Sequence, residues 1–294
     1  MKKKRSGLAV NSILMLLSLV FLIPFVYLVS ISLSNNTDLS TYGYSLIPKN
    51  IDFSAYKLIA ANPEQIIDAY WVTTFSSVVG TFLGVLIMAM VAYPLSRNTF
   101  IFRNIIMAFI FFTMLFGGGL IPTYILMTRY LGLGNNIWVY IANGLINAFH
   151  IIVLRTFFQG MPLSVLESAK IDGASEFQIF FKILLPLSKP VLATVALITL
   201  LTRWNDWTTT LIYIRDGRLY TLQFLLQKIL REAEFVSQMA KSALTGNFSG
   251  VMYELPAESM RFAMVIVTSG PMLVVFPFFQ KYFAKGLTVG AVKG

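Results

Sequence analysis

The chain has 294 residues, of which 56% are hydrophobic and only 12% charged, and its mean hydropathy is +0.72. Soluble domains carry about 25% charged residues, so this surface is too poor in charge for water, and lipid is the solvent over most of its length. The net charge of +10 raises nucleic acid as a partner, while the lack of cysteine excludes disulfides, a thiol nucleophile and cysteine-bound metal.

The N-terminus, Met1-Lys2-Lys3-Lys4-Arg5 followed by an apolar run, is built like a signal peptide. The run from Leu8 to Leu33 is far longer than the roughly 7–15 residues of a signal h-region, so it reads as an uncleaved first membrane helix. A bilayer core needs about 20 mostly apolar helical residues. Six segments meet that length: about 8–33, 71–95, 105–127, 137–158, 190–214 and 262–283. Their apolar runs are continuous rather than alternating, which favours helices over strands. Helices also satisfy their own backbone hydrogen bonds in lipid. The expectation is an all-α membrane protein: one domain over 1–294, six transmembrane helices, and a polar loop at 159–189.

Orientation follows from lysine and arginine placement. With six spans both termini share a side. That side holds Lys2, Lys3, Lys4, Arg5, Arg97, Arg103, Arg155, Lys170, Lys182, Lys189, Lys281, Lys285 and Lys293 against Glu167, Asp172 and Glu176. The opposite side is balanced. The termini and the loop are therefore cytoplasmic, and the basic charge is a topology signal rather than a nucleic-acid footprint.

On the other side lie Ser34 to Tyr70, with turn-forming Asn35-Asn36 and Pro48, and about Arg215 to Arg261. In the latter, Leu222, Leu225, Leu226, Ile229 and Leu230 form an amphipathic stripe opposite Gln223, Gln227, Lys228, Arg231 and Glu232. Two readings stay open: a helix packed on the end of the bundle, or a cap or docking face for an outer partner. Gly117-Gly118-Gly119, inside the third segment, permits a kink or close helix packing.

In the cytoplasmic loop, Ser164-Val165-Leu166-Glu167 and Ser175-Glu176-Phe177-Gln178 both have capping-box spacing. They predict two short helices, broken at Asp172-Gly173, where glycine tolerates a left-handed turn. Phe177, Phe180, Phe181 and Leu184 are expected to share the apolar face of the second helix, with Pro186 ending it and Pro190 starting the next span. Glu167, Lys170 and Asp172 face outward. Such a rigid knob suits the transmission of force from a soluble partner.

Glu167-Ser168-Ala169, Gly173 six residues after Glu167, Ile183 and Leu185-Pro186 resemble the "EAA" loop of ABC importer permeases. The fuller form, with Asp172-Gly173-Ala174, Phe177 and Pro190, is similar to the carbohydrate branch, the maltose-type permeases. Serine stands at 168 where that family usually has alanine, a small change. "GGGLIPTYILMTRYLGLGNN" (117–136), "RWNDW" (203–207) and "KGLTVGAVKG" (285–294) also resemble this branch, most of all its subgroup linked to oligosaccharide and polysaccharide-fragment uptake.

The resemblance covers essentially the whole chain. It implies that the EAA-type loop is a coupling helix seated in a cleft of a cytoplasmic ATPase subunit, with Glu167 paired to a basic residue there and Gly173 preserving the turn. The implied coupling set is Glu167, Ser168, Ala169, Lys170, Asp172, Gly173, Ala174, Phe177 and Pro186. The alternative for Glu167 is that it only closes its own capping box; the tail after Lys285 either reaches the ATPase dimer or is a frayed end. The implied partners are a second, homologous permease subunit, two ATPase subunits that carry ATP and Mg, and an extracytoplasmic solute-binding protein. The implied place is the bacterial cytoplasmic (inner) membrane, crossed several times.

The chain contains no G-x-x-x-x-G-K-[ST] for ATP phosphates, one histidine, no cysteine, and no paired carboxylates at catalytic spacing. It reads as a non-catalytic transport subunit that binds no cofactor of its own. Charges inside spans normally face a bundle interior or a watery path. Arg203 and Asp206, in Arg203-Trp204-Asn205-Asp206-Trp207, are three residues apart and so share a helix face; they form a structural pair, line the path or snorkel to the membrane edge. If Arg203 lines the path it favours an acidic oligosaccharide such as a uronate. Trp204, Trp207 and Tyr213 either stack on sugar rings or anchor helices at the lipid interface. Asn143, Asn147 and His150 recur at i, i+4 and i+7, a polar stripe that lines a hydrated cavity or bonds neighbouring helices. The reading is the permease subunit of an ATP-driven carbohydrate importer. Its rival is an ion-gradient-driven secondary transporter, which usually shows inverted repeats and needs no such loop.

Overall fold

The computed structural model describes residues 2–61, 63–245 and 257–291, and among them the backbone is helical, with one isolated bridge between Ser34 and Ile51. In order the helices are α1 (Lys2–Ser32), α2 (Asn36–Tyr42), α3 (Ser54–Ile59), α4 (Pro63–Leu95), α5 (Arg103–Leu115), α6 (Leu120–Ile125) and α7 (Trp138–Ala142). Then come α8 (Ala148–Gln159), α9 (Leu163–Ile171), α10 (Glu176–Gln178), α11 (Leu185–Leu187), α12 (Lys189–Trp204), α13 (Thr208–Tyr213), α14 (Leu222–Thr245) and α15 (Ala257–Ala291). Two π-helical stretches, Leu126–Tyr130 and Ile179–Leu184, continue α6 and α10.

Val10–Ser32, Pro63–Leu95 and Glu258–Gln280 are each long and apolar enough to cross a membrane. They match the first, second and sixth expected segments, except that α4 starts at Pro63 rather than near residue 71. Proline is pre-set for a first helical turn, and Glu64 complements the helix N-terminus. The third, fourth and fifth segments are not the continuous helices expected. The third breaks at the glycines, with Arg103–Leu115 and Leu120–Tyr130 bent by 111°. The fourth breaks between Asn143 and Asn147, and the fifth between Asn205 and Trp207. Each break falls on residues that favour helix ends. Gly119 and Gly144 sit at φ 84° and 68°, Asn147 accepts from the His150 amide at 3.2 Å, and Asp206 accepts from the Thr209 amide at 3.0 Å.

The described residues belong to two compact units. One is Met1–Ile67 with Leu225–Pro271. In it, Asn35 caps α2, Asp52 accepts from the Ser54 amide at 2.8 Å, and the Tyr44 hydroxyl donates to Glu258 at 3.0 Å. From Val10 to Phe25 the side chains of α1 are exposed, an apolar surface for lipid to cover. On α14, Leu222, Leu225 and Leu226 are buried while Lys228, Arg231 and Glu232 are exposed, the amphipathic pattern its sequence predicts. The backbone of α15 is helical to Ala291; residues 292–294 of the expected tail lie outside the described residues.

The other unit is Asp68–Phe224 with Met272–Gly294. Its main core joins Met88 and Ala92 of α4, Leu154 and Phe158 of α8, Ile179 and Leu184 of the π-helical stretch, and Val195 of α12. A second cluster gathers Val72, Met127, Val139, Tyr140 and Tyr213. At Gly84 the backbone of α4 meets the break after α7 directly: a Cβ there would lie 2.7 Å from the Leu145 carbonyl oxygen.

That contact is with backbone, which has no rotamer to yield. Gly84→Ala is expected to destabilise by about 1–3 kcal/mol, read as a lower thermal midpoint in detergent. Gly117→Ala, with no atom within 4 Å of its Cβ, is the neutral control.

Candidate functional site

The polar loop is an elbow of two short helices. α9 leaves α8 at 75°. Pro162 stands at its N-cap with φ −58° and gives no side-chain cap. The helix therefore starts at Leu163, which places Ser164 and Glu167 both inside it, and the expected Ser164–Glu167 capping box does not form. Glu167, Ser168, Lys170 and Asp172 are exposed, while Leu166 and Ala169 turn inward to the core. After Ile171 the chain reverses as the spacing predicts. Gly173 adopts φ 78°, its amide donates to the Lys170 carbonyl at 3.0 Å, and the Ala174 amide donates to that of Ala169 at 2.9 Å. This pair of bonds is a Schellman motif, and it needs the left-handed residue that glycine supplies.

The Ser175–Gln178 capping box does form. Ser175 Oγ accepts from the Gln178 amide at 3.4 Å, and the Gln178 side chain accepts from the Ser175 amide at 2.9 Å. The expected four-residue apolar face is divided: Phe180 and Leu184 are buried with Ile179, but Phe177 is 70% exposed and Phe181 47%. Phe177 and Phe181 thus lie on one side of the helix and Phe180 and Leu184 on the other, so the two pairs do not form a single face. Pro186 does not end the helix, which runs to Leu187 and bends by 80° at Ser188. Pro190 does open α12.

Glu176 draws the elbow together. Its carboxylate takes Lys170 Nζ at 2.6 Å and the Tyr93 hydroxyl at 2.5 Å. The Tyr93 ring lies 5.7 Å from that of Phe180 and carries the Arg97 guanidinium 4.8 Å above its centre. A cavity of about 400 Å³ beside them is lined by Tyr93, Arg97, Phe100, Lys170 and Phe177.

The second region is a cleft of about 360 Å³ where the breaks of the fourth and fifth segments meet. It brings together five of the eight expected path residues, Asn143, Arg203, Asn205, Asp206 and Trp207, with Gly144, Thr202, Thr208 and Thr209. Trp204 is buried, Asn147 serves as the N-cap of α8, and buried His150 has Nδ1 3.4 Å from Thr199 Oγ1. The expected Asn143–Asn147–His150 stripe dissolves because the backbone between the first two is not helical. Tyr213, for which the sequence leaves sugar stacking and anchoring at the lipid interface both open, is buried and stacked on Tyr124 at 5.7 Å.

Arg203 and Asp206 do not make the expected pair. The Arg203 guanidinium donates to the carbonyls of Tyr140 at 2.7 Å, Gly144 at 3.0 Å and Ile141 at 3.4 Å. The Tyr140 and Ile141 carbonyls end α7 and have no partner inside it, and the Gly144 carbonyl lies in the break that follows. Gly80 leaves the room this requires, since a Cβ there would lie 2.5 Å from Arg203 Nη1. Asp206 accepts from Thr208 Oγ1 at 2.9 Å and from Thr209 Oγ1 at 2.5 Å, and Asn143 Nδ2 donates to the same Thr209 hydroxyl at 3.0 Å. The cleft thus offers amide, hydroxyl, carboxylate and indole groups, which suit sugar hydroxyls and a sugar ring face.

Sequence reasoning did not single out Tyr93, Glu176, Gly80 or Thr209. Tyr93 and Gly80 sit in an apolar run without a pattern to mark them. Glu176 carried one signal, its place in the first turn after a serine cap.

The family described as "binding-protein-dependent transport system inner membrane component" matches residues 77–289. The chain is 36% identical over 296 residues to the polygalacturonan/rhamnogalacturonan transport system permease protein YtcP of Bacillus subtilis (strain 168), covering 100% of each. It is 36% identical over 277 residues to Protein LplC of the same organism, covering 94% of this chain and 90% of that one. Among solved structures, a bacterial ABC transporter involved in the import of the acidic polysaccharide alginate superposes with a TM-score of 0.78. That match is at 31% identity and covers 96% of this chain and 98% of that one.

Removing the guanidinium would leave the end of α7 without donors. Arg203→Met is expected to lower stability by about 3 kcal/mol, seen in thermal unfolding of the detergent-purified protein. Arg203→Lys should not restore it, because one ammonium cannot span three carbonyls.

Proposed function

We propose that this chain, which belongs to the family of binding-protein-dependent transport system inner membrane components, is the permease subunit through which an ATP-driven importer moves an oligosaccharide into the bacterial cytoplasm. The observation that carries the finer reading is the elbow at 159–189. It exposes Glu167 and Asp172 on a short helix, held at a fixed angle by the Gly173 turn and rooted in the core by Ile179, Phe180 and Leu184. That is a seat for a cytoplasmic ATPase.

In this reading the three long helices and the three broken segments at about 103–130, 138–159 and 189–213 make six crossings. The basic excess puts both termini and the elbow on the cytoplasmic side. A second, homologous permease stands beside this one, two ATPase subunits carry ATP and Mg beneath, and an extracytoplasmic binding protein delivers the sugar. Closure of the ATPases on ATP moves the elbows and turns the bundle from inward-facing to outward-facing. The sugar then enters past the cleft at Asn143, Asn205, Asp206 and Trp207, and hydrolysis resets the bundle. The relatives named for polygalacturonan, rhamnogalacturonan and alginate support a polysaccharide-fragment substrate.

The direct test is to purify the tagged chain gently from its native membrane and measure uptake. Recovery with a second permease and a P-loop ATPase, and uptake that survives an uncoupler but fails on ATP depletion, is expected. Recovery alone with uncoupler-sensitive uptake would establish the secondary transporter instead. Within the recovered complex, Glu167→Ala and Gly173→Val should abolish binding-protein-stimulated ATPase without affecting membrane insertion. A side chain at φ 78° costs roughly 1–2 kcal/mol and distorts the turn. Normal stimulation in both variants would remove the coupling role of the elbow.

A further inference from the structure

We infer that Glu176, with Tyr93, is the joint that makes the elbow and α4 move as one, and so is a positioning pair for transport coupling. The inference rests on the importer reading above, but it concerns residues outside the EAA-type motif.

The two halves of the elbow are anchored unequally. Ile179, Phe180 and Leu184 sink into the core, whereas α9, the half that exposes Glu167, buries only Leu166 and Ala169. Burial of a leucine and an alanine alone leaves a nine-residue helix loosely held. Two polar links make up the difference. The Ala174 amide closes the turn onto Ala169, and Glu176 reaches across the Gly173 reversal to Lys170 at 2.6 Å.

The same carboxylate continues to the hydroxyl of Tyr93, near the end of α4. Tyr93 is itself fixed, 9% exposed between the Phe180 ring and the Arg97 guanidinium. Lys170, Glu176 and Tyr93 therefore form one chain of contacts from the exposed helix to a membrane-crossing helix. A push on α9 reaches α4 through this chain rather than opening the Gly173 turn. A cavity of about 400 Å³ lies beside this chain of contacts and is lined by Tyr93, Lys170 and Glu176 themselves.

The test uses the complete importer, reconstituted in liposomes with its partner permease, ATPase subunits and binding protein, and reads sugar imported per ATP hydrolysed. Glu176→Ala and Tyr93→Phe are each expected to lower that ratio at least fivefold while ATPase activity stays within twofold of the parent. The double variant should be no worse than the more affected single one, because both break one link. Glu176→Gln keeps an acceptor for the Tyr93 hydroxyl and should retain at least half of the coupling. A ratio unchanged in Glu176→Ala and Tyr93→Phe would overturn the inference, as would uptake and ATPase falling in parallel with loss of the complex. A parent chain that recruits no ATPase would instead overturn the importer reading.

Discussion

The constraint on which the rest depends is that a broken membrane helix leaves carbonyls that lipid cannot satisfy. Arg203 answers it for α7 with three donors on three carbonyls. Arg155 does the same at the end of α4, where Nε meets the Leu95 carbonyl at 2.9 Å. The buried Tyr140 hydroxyl donates to the Leu219 carbonyl at 2.7 Å and pairs with Thr210 Oγ1 at 2.8 Å. At each of these three places a polar group serves a helix end.

One helix, α12, runs between the two candidate regions. α12 places Val195 in the core that holds the elbow and Arg203 at the cleft. The two are eight positions apart, about 12 Å along the helix. A close-packed core transmits displacement rather than absorbing it. The segment from Ile179 to Leu184 packs in one core with Val195, and the far end of the same α12 carries the guanidinium that holds the end of α7. The cleft lies where two helix breaks meet.

Much of this was legible in the sequence. The continuous helices, the Gly173 reversal, the Ser175–Gln178 box and the glycine kink all follow from local chemistry that acts within a few residues. The interruptions of the fourth and fifth segments did not emerge, because hydropathy averages over Asn143-Gly144 and Asn205-Asp206 while the backbone responds to each residue singly. The same averaging made Asn143, Asn147 and His150 look like one face. Spacing also suggested a bond between Arg203 and Asp206, which holds only if the helix is unbroken between them. At Ser164 the spacing was right but the register wrong, since Pro162 had already begun the helix. Contacts such as Tyr93 with Glu176, 83 positions apart, leave no local trace.

The use of Arg203 also bears on selectivity. A uronate carboxylate is best held by the two parallel bonds of a guanidinium fork. Here Nη1 and Nη2 are both committed to carbonyls, and Nε is buried without a partner. Turning the fork toward a substrate would take these bonds from the end of α7. Around it the cleft presents Asn143, Asn205, threonine hydroxyls, Trp207 and the Asp206 carboxylate, groups that recognise hydroxyls and ring faces.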